Sequence, residues 1–308
     1  MDHTKILEVA VVGGGPAGMS AALVFGRAMI STVIINEEQA RNMVTQGSHG
    51  FLTRDGVHPS ELLQIAKDQL AQYTQVNYVK GRVSEVKQEE KIFIIKTSQG
   101  DIFKAKHIVF ATGYQENIQQ VNLPGIELVY GKTVYPCPFC DGWERRNQPL
   151  ALFGEEAFVF EFAKTVSHWT NDLIVFTNGK KVLSEEQKQA LKQNKVGLVE
   201  DSIEKLISTN GQLQGVQLTH GQTISRQGGF LLSTGEKQAC EIPAQLGVET
   251  NDDGTYKSNE WGKSEIEGIY IIGDAKNGFG GIAASVAEGA KVASMMIHEI
   301  IHQKWVTV

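Results

Sequence analysis

The 308-residue chain carries 29 Lys and Arg against 35 Asp and Glu, a formal charge of −6, with 41% hydrophobic and 21% charged residues. This is the make-up of a soluble globular protein of two domains, and the negative balance argues against nucleic acid or an anionic membrane as partner. No apolar run approaches the ~18 residues that span a bilayer and no charged-then-apolar leader opens the chain, so a cytoplasmic protein is expected, with no membrane or nucleic-acid partner.

The first apolar, β-branched run, Ile6–Val12, reads as a buried strand. Gly13-Gly14-Gly15-Pro16-Ala17-Gly18 follows at once, Met19–Phe25 continues as a helix, and Val33-Ile34-Ile35-Asn36-Glu37 is a second strand ending in polar residues. Strand, glycine turn, helix and strand together are the dinucleotide-binding fingerprint in its required context. Gly13 permits the tight turn, Gly15 lets a pyrophosphate approach the backbone, and Gly18 lets helix and strand pack closely. Free N–H groups at the helix start take the phosphate. Asn36 or Glu37 is expected on the ribose hydroxyls, with Asn36 at the better distance.

Ser48-His49-Gly50-Phe51-Leu52 is a loop, followed by an amphipathic helix from about Pro59 to Tyr73. His49 has two readings, a contact to a flavin or substrate disulfide and a loop histidine bonded to backbone. Val76–Lys87 and Lys91–Thr97 look like strands of a meander. Lys106–Gly113 is a strand ending in the small-residue turn Ala111-Thr112-Gly113.

Cys137-Pro138-Phe139-Cys140-Asp141-Gly142-Trp143-Glu144 carries the chemistry. Two thiols separated by two residues can close into a disulfide, and the Cys-x-x-Cys arrangement lowers the pKa of at least one thiol toward neutrality. The carboxyl of Asp141 adds a group that can move a proton. Half a zinc site is the competing reading, but a zinc cage needs further Cys or His at short spacing. The only other cysteine, Cys240, has no such neighbours, so no metal is expected. A structural disulfide is the other bland reading; in a cytosolic chain, disulfides are mostly catalytic. Cys240 itself is expected to be a bystander.

Leu150–Gly154 repeats the opening of the first unit. Gly154 stands as far before Thr177 as Gly13 stands before Asn36, and Leu173–Phe176 copies the second strand. The phosphate-binding chemistry does not repeat. Glu155 and Glu156 replace Gly14 and Gly15, while Phe158 and Val159 replace Ala17 and Gly18. Like charges ~4 Å apart cost about 1 kcal/mol in water and several times that near a protein surface. Thr177-Asn178-Gly179 holds no arginine pair for a 2′-phosphate, so NADPH is not expected to bind in the usual way. Lys180–Lys195 reads as an exposed polar helix, Val196–Leu218 as small strands, and Gly228–Gly235 as the return to the first domain. Gly268–Ala275 is a strand ending in Gly273-Asp274, whose carboxylate can accept a ribityl hydroxyl bond. A helix then enters at about Gly281 and runs to about Ile301, its positive end suited to a reduced flavin.

Over essentially the whole chain these residues resemble the low-molecular-weight thioredoxin reductase family, on Gly13–Gly18, Ala111-Thr112-Gly113, Cys137–Gly142 and Gly273-Asp274-Ala275. The resemblance implies an α/β fold of two Rossmann-like, three-layer dinucleotide-binding domains, the second inserted in the first. The flavin domain would be 1–116 with 230–308, and the dithiol-bearing domain 117–229. It implies FAD as cofactor, a homodimer, and a domain rotation that shows the dithiol alternately to flavin and substrate. Its cofactor contacts would be Gly13, Gly15, Pro16, Ala17, Gly18, Asn36, Glu37, Val83, Ala111, Thr112, Gly113, Gly273, Asp274, Gly281, Ile282 and Ala283. Cys140 would face the flavin, Cys137 would attack or release substrate, and Asp141 would be the acid/base.

The wording of the dithiol stretch, with Ser48–Leu52, is similar to FAD-dependent dithiol oxidases that form disulfides in sulfur-containing natural products and pass electrons to oxygen. Another branch without NADPH motifs takes electrons from ferredoxin or reduced flavin. The leading expectation is therefore an NADPH-independent thiol–disulfide oxidoreductase acting on a small-molecule dithiol or disulfide or a thioredoxin-like protein. An NADPH-dependent reductase with an atypical turn is the alternative, and a flavin-bound redox sensor the alternative of another class.

Overall fold

In the computed structural model, which describes residues 5–305, the chain divides into two units with hydrophobic cores of their own. One comprises Met1–Met43, Phe51–Gln115 and Lys237–Val308, the other Val44–Gly50 and Glu116–Glu236. Residues 1–4 and 306–308, which the expected flavin-domain segments include, lie outside the described residues.

The chain opens with β1 (Ile6–Val12), α1 (Pro16–Arg27) and β2 (Thr32–Asn36), then α2 (Pro59–Leu70). Val9–Val12 and all of β2 are buried, as strands covered on both faces must be. Four strands follow: β3 (Val76–Lys80), β4 (Val83–Glu89), β5 (Ile92–Thr97) and β6 (Ile102–Phe110), with a short β7 (Tyr114–Gln115) behind them. The expected strand over Val76–Lys87 is thus two strands parted at Gly81-Arg82. β3 lies parallel to β2, whereas β4 runs antiparallel to β5. Apolar alternation cannot tell one long strand from two that part company at a glycine.

The second unit runs through α3 (Ile126–Val129), β8 (Val134–Tyr135), α4 (Pro138–Asp141), β9 (Leu150–Phe153), α5 (Val159–Val166) and β10 (Leu173–Phe176). It continues with α6 (Glu185–Gln193), β11 (Gly197–Val199), β12 (Ile203–Thr209), β13 (Gln212–Leu218), β14 (Thr223–Ser225) and β15 (Gly228–Leu231). The polar helix expected from Lys180 starts only at Glu185, because Ser184 and Gln187 form a reciprocal cap there. The chain then completes the first unit with β16 (Lys237–Gln238), α7 (Ile242–Gln245), β17 (Ile269–Ile271), α8 (Asp274–Asn277) and α9 (Gly281–Lys304). No helix among the described residues is long and apolar enough to cross a membrane.

The first unit's sheet has the order β3-β2-β1-β6-β5-β4, with β17 also on β6. β6 serves two partners along one edge. Its first half pairs antiparallel with β5, and Ile108–Phe110 pairs parallel with β17. The parallel part therefore ends at one level, with Val12 opposite both Ile35 and Phe110, and Phe110 opposite Ile271. The second unit's parallel sheet, β11-β10-β9-β15-β8, repeats this register: Val9–Thr32 and Val12–Ile35 become Leu150–Leu173 and Phe153–Phe176. A three-stranded antiparallel sheet, β12-β13-β14, accompanies it.

Gly228–Leu231 is not the return to the first unit that the sequence suggests. β15 lies between β9 and β8, buried throughout, and Gly229 allows the approach, since a Cβ there would stand 2.3 Å from Ala151 O. It is to β9 what β6 is to β1. The crossing comes after Glu236, not before residue 230.

Candidate active site

Three of the sequence motifs meet at the end of the first unit's parallel strands, the edge where open α/β sheets bind ligands. A Cβ on Gly13 (φ +100°) would stand 2.3 Å from Ala111 O, and one on Gly18 would stand 2.0 Å from Gly13 O. The turn, the first helical residues and Ala111-Thr112-Gly113 are therefore packed backbone to backbone. Gly273 joins them, its position facing Ala17 Cβ, and Gly289 of α9 comes as close to Ala17 O. Gly15 differs from the rest. It caps α1 at φ −72°, and a Cβ there would meet nothing within 4 Å. The space in front of Gly15 is open, and the first-turn N–H groups of α1 border it.

Thr112 Oγ1 is buried without a hydrogen-bond partner among the described residues. A buried hydroxyl left unmade costs about 1–3 kcal/mol, and a dinucleotide seated on this edge offers it the missing bond. The open cradle and the orphaned hydroxyl fit FAD.

Asn36 is turned to other work. Its Nδ2 donates to Gly14 O (3.4 Å) and Tyr78 Oη (3.0 Å), and its Oδ1 accepts from Glu38 N–H (3.1 Å). It braces the glycine turn from below, buried, while Tyr78 passes the network on to Glu38. The better spacing of Asn36 is thus spent on protein partners, while Glu37, next in the chain, is exposed and stands 3.6 Å from Arg82. Val83 is buried at the start of β4.

Asp274 accepts from Gly280 N–H (3.2 Å) and faces Arg41 at 3.6 Å. Arg41 also donates to Gly278 O and lies over the Phe279 ring at 4.7 Å, pinning the loop that leads into Gly281, Ile282 and Ala283. Behind it, Glu288 accepts from Gly273 N–H (2.7 Å) and pairs with Lys276 (2.9 Å). Sequence reading missed Arg41 and Glu288, because no local pattern marks a cation that acts on a loop so far along the chain.

In the second unit, Cys137 and Cys140 are joined in a disulfide with Cα atoms 5.3 Å apart. Cys137 is the N-cap of α4 with Pro138 in the first turn, and its Sγ accepts from Cys140 N–H at 3.2 Å. A sulfur in that place is stabilised as thiolate once the bond is reduced. Gly142 lets Trp169 close over the helix end, since a Cβ would stand 2.8 Å from its ring. Phe139 and Trp143 are left exposed on either side.

Asp141 closes α4 and is buried. Burial pushes its carboxyl up to about 7; His49 and Arg145 oppose the rise and Glu144 adds to it. His49 belongs to the same unit through the stretch Val44–Gly50, with its Nε2 3.6 Å from Glu144 Oε1. Cys240 stands elsewhere, a free thiol in the first unit whose pKa burial raises.

The second glycine turn is closed. α5 begins five residues after Gly154, whereas α1 begins three after Gly13. Val159 packs directly on Gly154, its Cγ2 2.7 Å from where a Cβ would lie. Across the turn, Asn178 Nδ2 donates to Glu155 Oε1 (2.7 Å) and to Asn122 O (2.9 Å). Its Oδ1 accepts from Ile203 N–H. Carboxylate and amide fill the place of a phosphate cradle, and these residues do not fit NADPH.

The profile of the family described as pyridine nucleotide-disulphide oxidoreductase matches residues 7–293. A probable thioredoxin reductase of Arthroderma benhamiae is 26% identical over 96% of this chain and 81% of its own length. The thioredoxin reductase of Bacillus subtilis is 23% identical over 97% and 96%. Among solved structures, TrxB of Bacillus anthracis, assigned as a thioredoxin reductase, superposes with a TM-score of 0.92 at 31% identity, covering 97% of this chain and 100% of its own. The chain belongs to the pyridine nucleotide-disulphide oxidoreductase family and is an FAD-dependent thiol–disulfide oxidoreductase of thioredoxin reductase type.

Proposed function

We propose, from that membership, that this protein exchanges electron pairs between FAD and a substrate thiol pair through Cys137–Cys140, without NADPH, and that its reaction is dithiol oxidation with dioxygen as acceptor. The observation that carries the reading is the closed second turn, where Glu155 and Asn178 bond to each other in place of a nucleotide. FAD, held by Gly13–Gly18, Glu37, Thr112 and Asp274, with Pro16, Ala17, Val83, Ala111, Gly113, Gly273 and the Gly281–Ala283 turn around it, supplies the two-electron chemistry that reoxidises the dithiol.

The chain's own residues do the thiol work. A substrate thiolate attacks Cys137 Sγ, the Cys137–Cys140 bond breaks, and Cys140 leaves. Asp141, whose pKa burial pushes up to about 7 so that a large share of it keeps its proton at neutral pH, gives Cys140 its proton. The second substrate thiolate then attacks the mixed disulfide, so that a substrate disulfide forms and Cys137 leaves as the thiolate that Cys140 N–H stabilises. Two electrons pass from substrate to enzyme; of the two protons the substrate thiols give up, one restores Asp141 and the other goes to solvent while Cys137 remains a thiolate. Exposed Phe139 and Trp143 favour a substrate with an apolar face.

The relatives named thioredoxin reductases support a second reading, in which a thioredoxin-like protein is the disulfide partner and another carrier supplies electrons. Homodimeric assembly and a cytoplasmic location belong to both readings. Anaerobic mixing decides the question. Dithiothreitol should bleach the flavin and air restore it with hydrogen peroxide formed, while NADPH leaves it oxidised. Rapid, saturable bleaching by NADPH overturns the reading, and bleaching by dithiothreitol without reoxidation in air favours the second.

A further inference from the structure

A carboxylate that accepts from a ribityl hydroxyl must be held still, and it must not repel the pyrophosphate of the same cofactor. Asp274 faces both demands. It follows Gly273, whose Cβ position lies 2.9 Å from Ala17 Cβ in the first turn of α1, the turn left open for the pyrophosphate. Its side chain is only 22% exposed, so solvent screens the charge weakly. Lys276, two residues on, is already paired with Glu288 (2.9 Å). Arg41, 16% exposed, stands 3.6 Å from Asp274 Oδ2. It precedes Gly278 by 237 positions, yet its Nη1 donates to Gly278 O (3.4 Å) and its guanidinium lies 4.7 Å from the centre of the Phe279 ring. Asp274 accepts from Gly280 N–H (3.2 Å), so Arg41 and Asp274 grip the same loop, Gly278-Phe279-Gly280, from two sides. A loop of two glycines around one aromatic residue has little stiffness of its own. The planar guanidinium suits the task, with a face for the ring and N–H groups for carbonyl and carboxylate. All these residues belong to one unit.

We propose that Arg41 is a positioning residue for FAD: it fixes the Asp274 carboxylate for the ribityl chain and offsets the charge that the pyrophosphate would otherwise meet, so that the protein's hold on FAD depends on Arg41 through Asp274. This rests on the reading of Asp274 as an FAD contact and is independent of the electron acceptor. Without Arg41 the carboxylate loses this counter-ion and the loop before α9 loses a hold. Binding FAD then has to order both and to bring two anionic groups onto one edge, and the cofactor is released sooner.

The test is FAD release from the FAD-saturated full-length protein after dilution, followed by the rise in fluorescence of free flavin. It compares wild type, Arg41→Gln, Asp274→Ala and the double variant. Arg41→Gln should release FAD at least about tenfold faster, the worth of a hydrogen bond to a charged group. In the Asp274→Ala background the same substitution should change the rate by less than about twofold, because the group it acts through is gone. Arg41→Lys keeps the charge without the stacked fork and should release FAD at a rate between those of the parent and Arg41→Gln. It also carries the comparison in both backgrounds should Arg41→Gln fail to fold. A merely structural Arg41 would speed release by the same factor with and without Asp274, and that result overturns the proposal. Release from Arg41→Lys as fast as from Arg41→Gln overturns it too, since charge would then play no part. Asp274→Ala holding FAD as tightly as the parent would instead remove Asp274 from the cofactor contacts, a failure of the reading beneath the proposal that takes the proposal with it.

Discussion

Asn178 donates to Glu155 across 2.7 Å, joining the end of one strand to the turn after its neighbour. In the first unit the corresponding turn is left open at Gly15. The same strand register thus yields a cradle in one unit and a plug in the other, the difference lying in the side chains of the turn and in the later start of the helix that follows it.

Removing the plug should create a nucleotide site. The variant is Glu155→Gly, Glu156→Gly, Val159→Ala and Asn178→Arg. Gly179 is left in place because its φ of +83° would strain an arginine; Asn178, at φ +48°, is left-handed too, so Asn178→Arg itself adds about 1 kcal/mol of backbone strain. NADPH binding, followed by quenching of protein fluorescence, should become measurable where the parent shows none. The variant should also melt lower, since the bonds of Asn178 to Asn122 and Ile203 are lost at about 1 kcal/mol each. No binding by a folded variant would mean that something other than these residues excludes NADPH.

Two glycines of one turn should fail differently. Gly15→Val has room in the protein and an ordinary backbone conformation, so it should fold and be colourless. Gly18→Val drives carbon into Gly13 O and should cost at least about 3 kcal/mol, leaving little folded protein. Circular dichroism with flavin absorbance separates the outcomes. A yellow Gly15→Val would remove the cradle from the argument.

Asp141→Asn should keep FAD and slow reduction by dithiothreitol by about 10²–10⁴-fold, the usual worth of acid–base assistance. The pH limb near the raised pKa of about 7 should vanish with it. A rate within a factor of two of the parent's would leave Asp141 a helix-end residue.

The same substitution should stabilise the protein at high pH. Folding raises the Asp141 pKa from its ordinary 3.8 to about 7, so the folded state holds the proton more tightly. Its contribution to stability is greatest below pH 4, falls as pH rises to about 7, and is fully lost above. Asp141→Asn should therefore melt higher than the parent at pH 8, by a margin on the order of a few kcal/mol, and nearly level with it at pH 4. Equal margins at both pH values would contradict a buried, charge-averse carboxyl.

Much of this architecture is legible in the sequence because it is local or periodic. Strand, glycine turn and helix from Ile6 onward follow from a β-branched run, three spaced glycines and Pro16 in the first turn of α1. The repeat at Leu150 is visible as spacing, and the register of the two ladders agrees with it. Gly228–Leu231 misleads for the same reason: its run and following Ser-Thr-Gly are those of a closing strand, and sequence does not say which sheet it closes.

The sequence by itself determined the two dinucleotide-type frames, the dithiol with its adjoining carboxyl, and the loss of glycines from the second turn, all of them matters of residue type and spacing. Only the tertiary structure decided that His49 joins Glu144, that Asn36 is spent on Gly14 and Tyr78, and that Arg41 holds Asp274. It also decided that Asn178 closes the second turn. These are contacts between residues far apart in the chain, made by polar side chains that no hydrophobic period governs. Their partners are chosen when packed strands and helices bring buried donors and acceptors within reach, because a buried polar group without a partner costs more than any local preference could return.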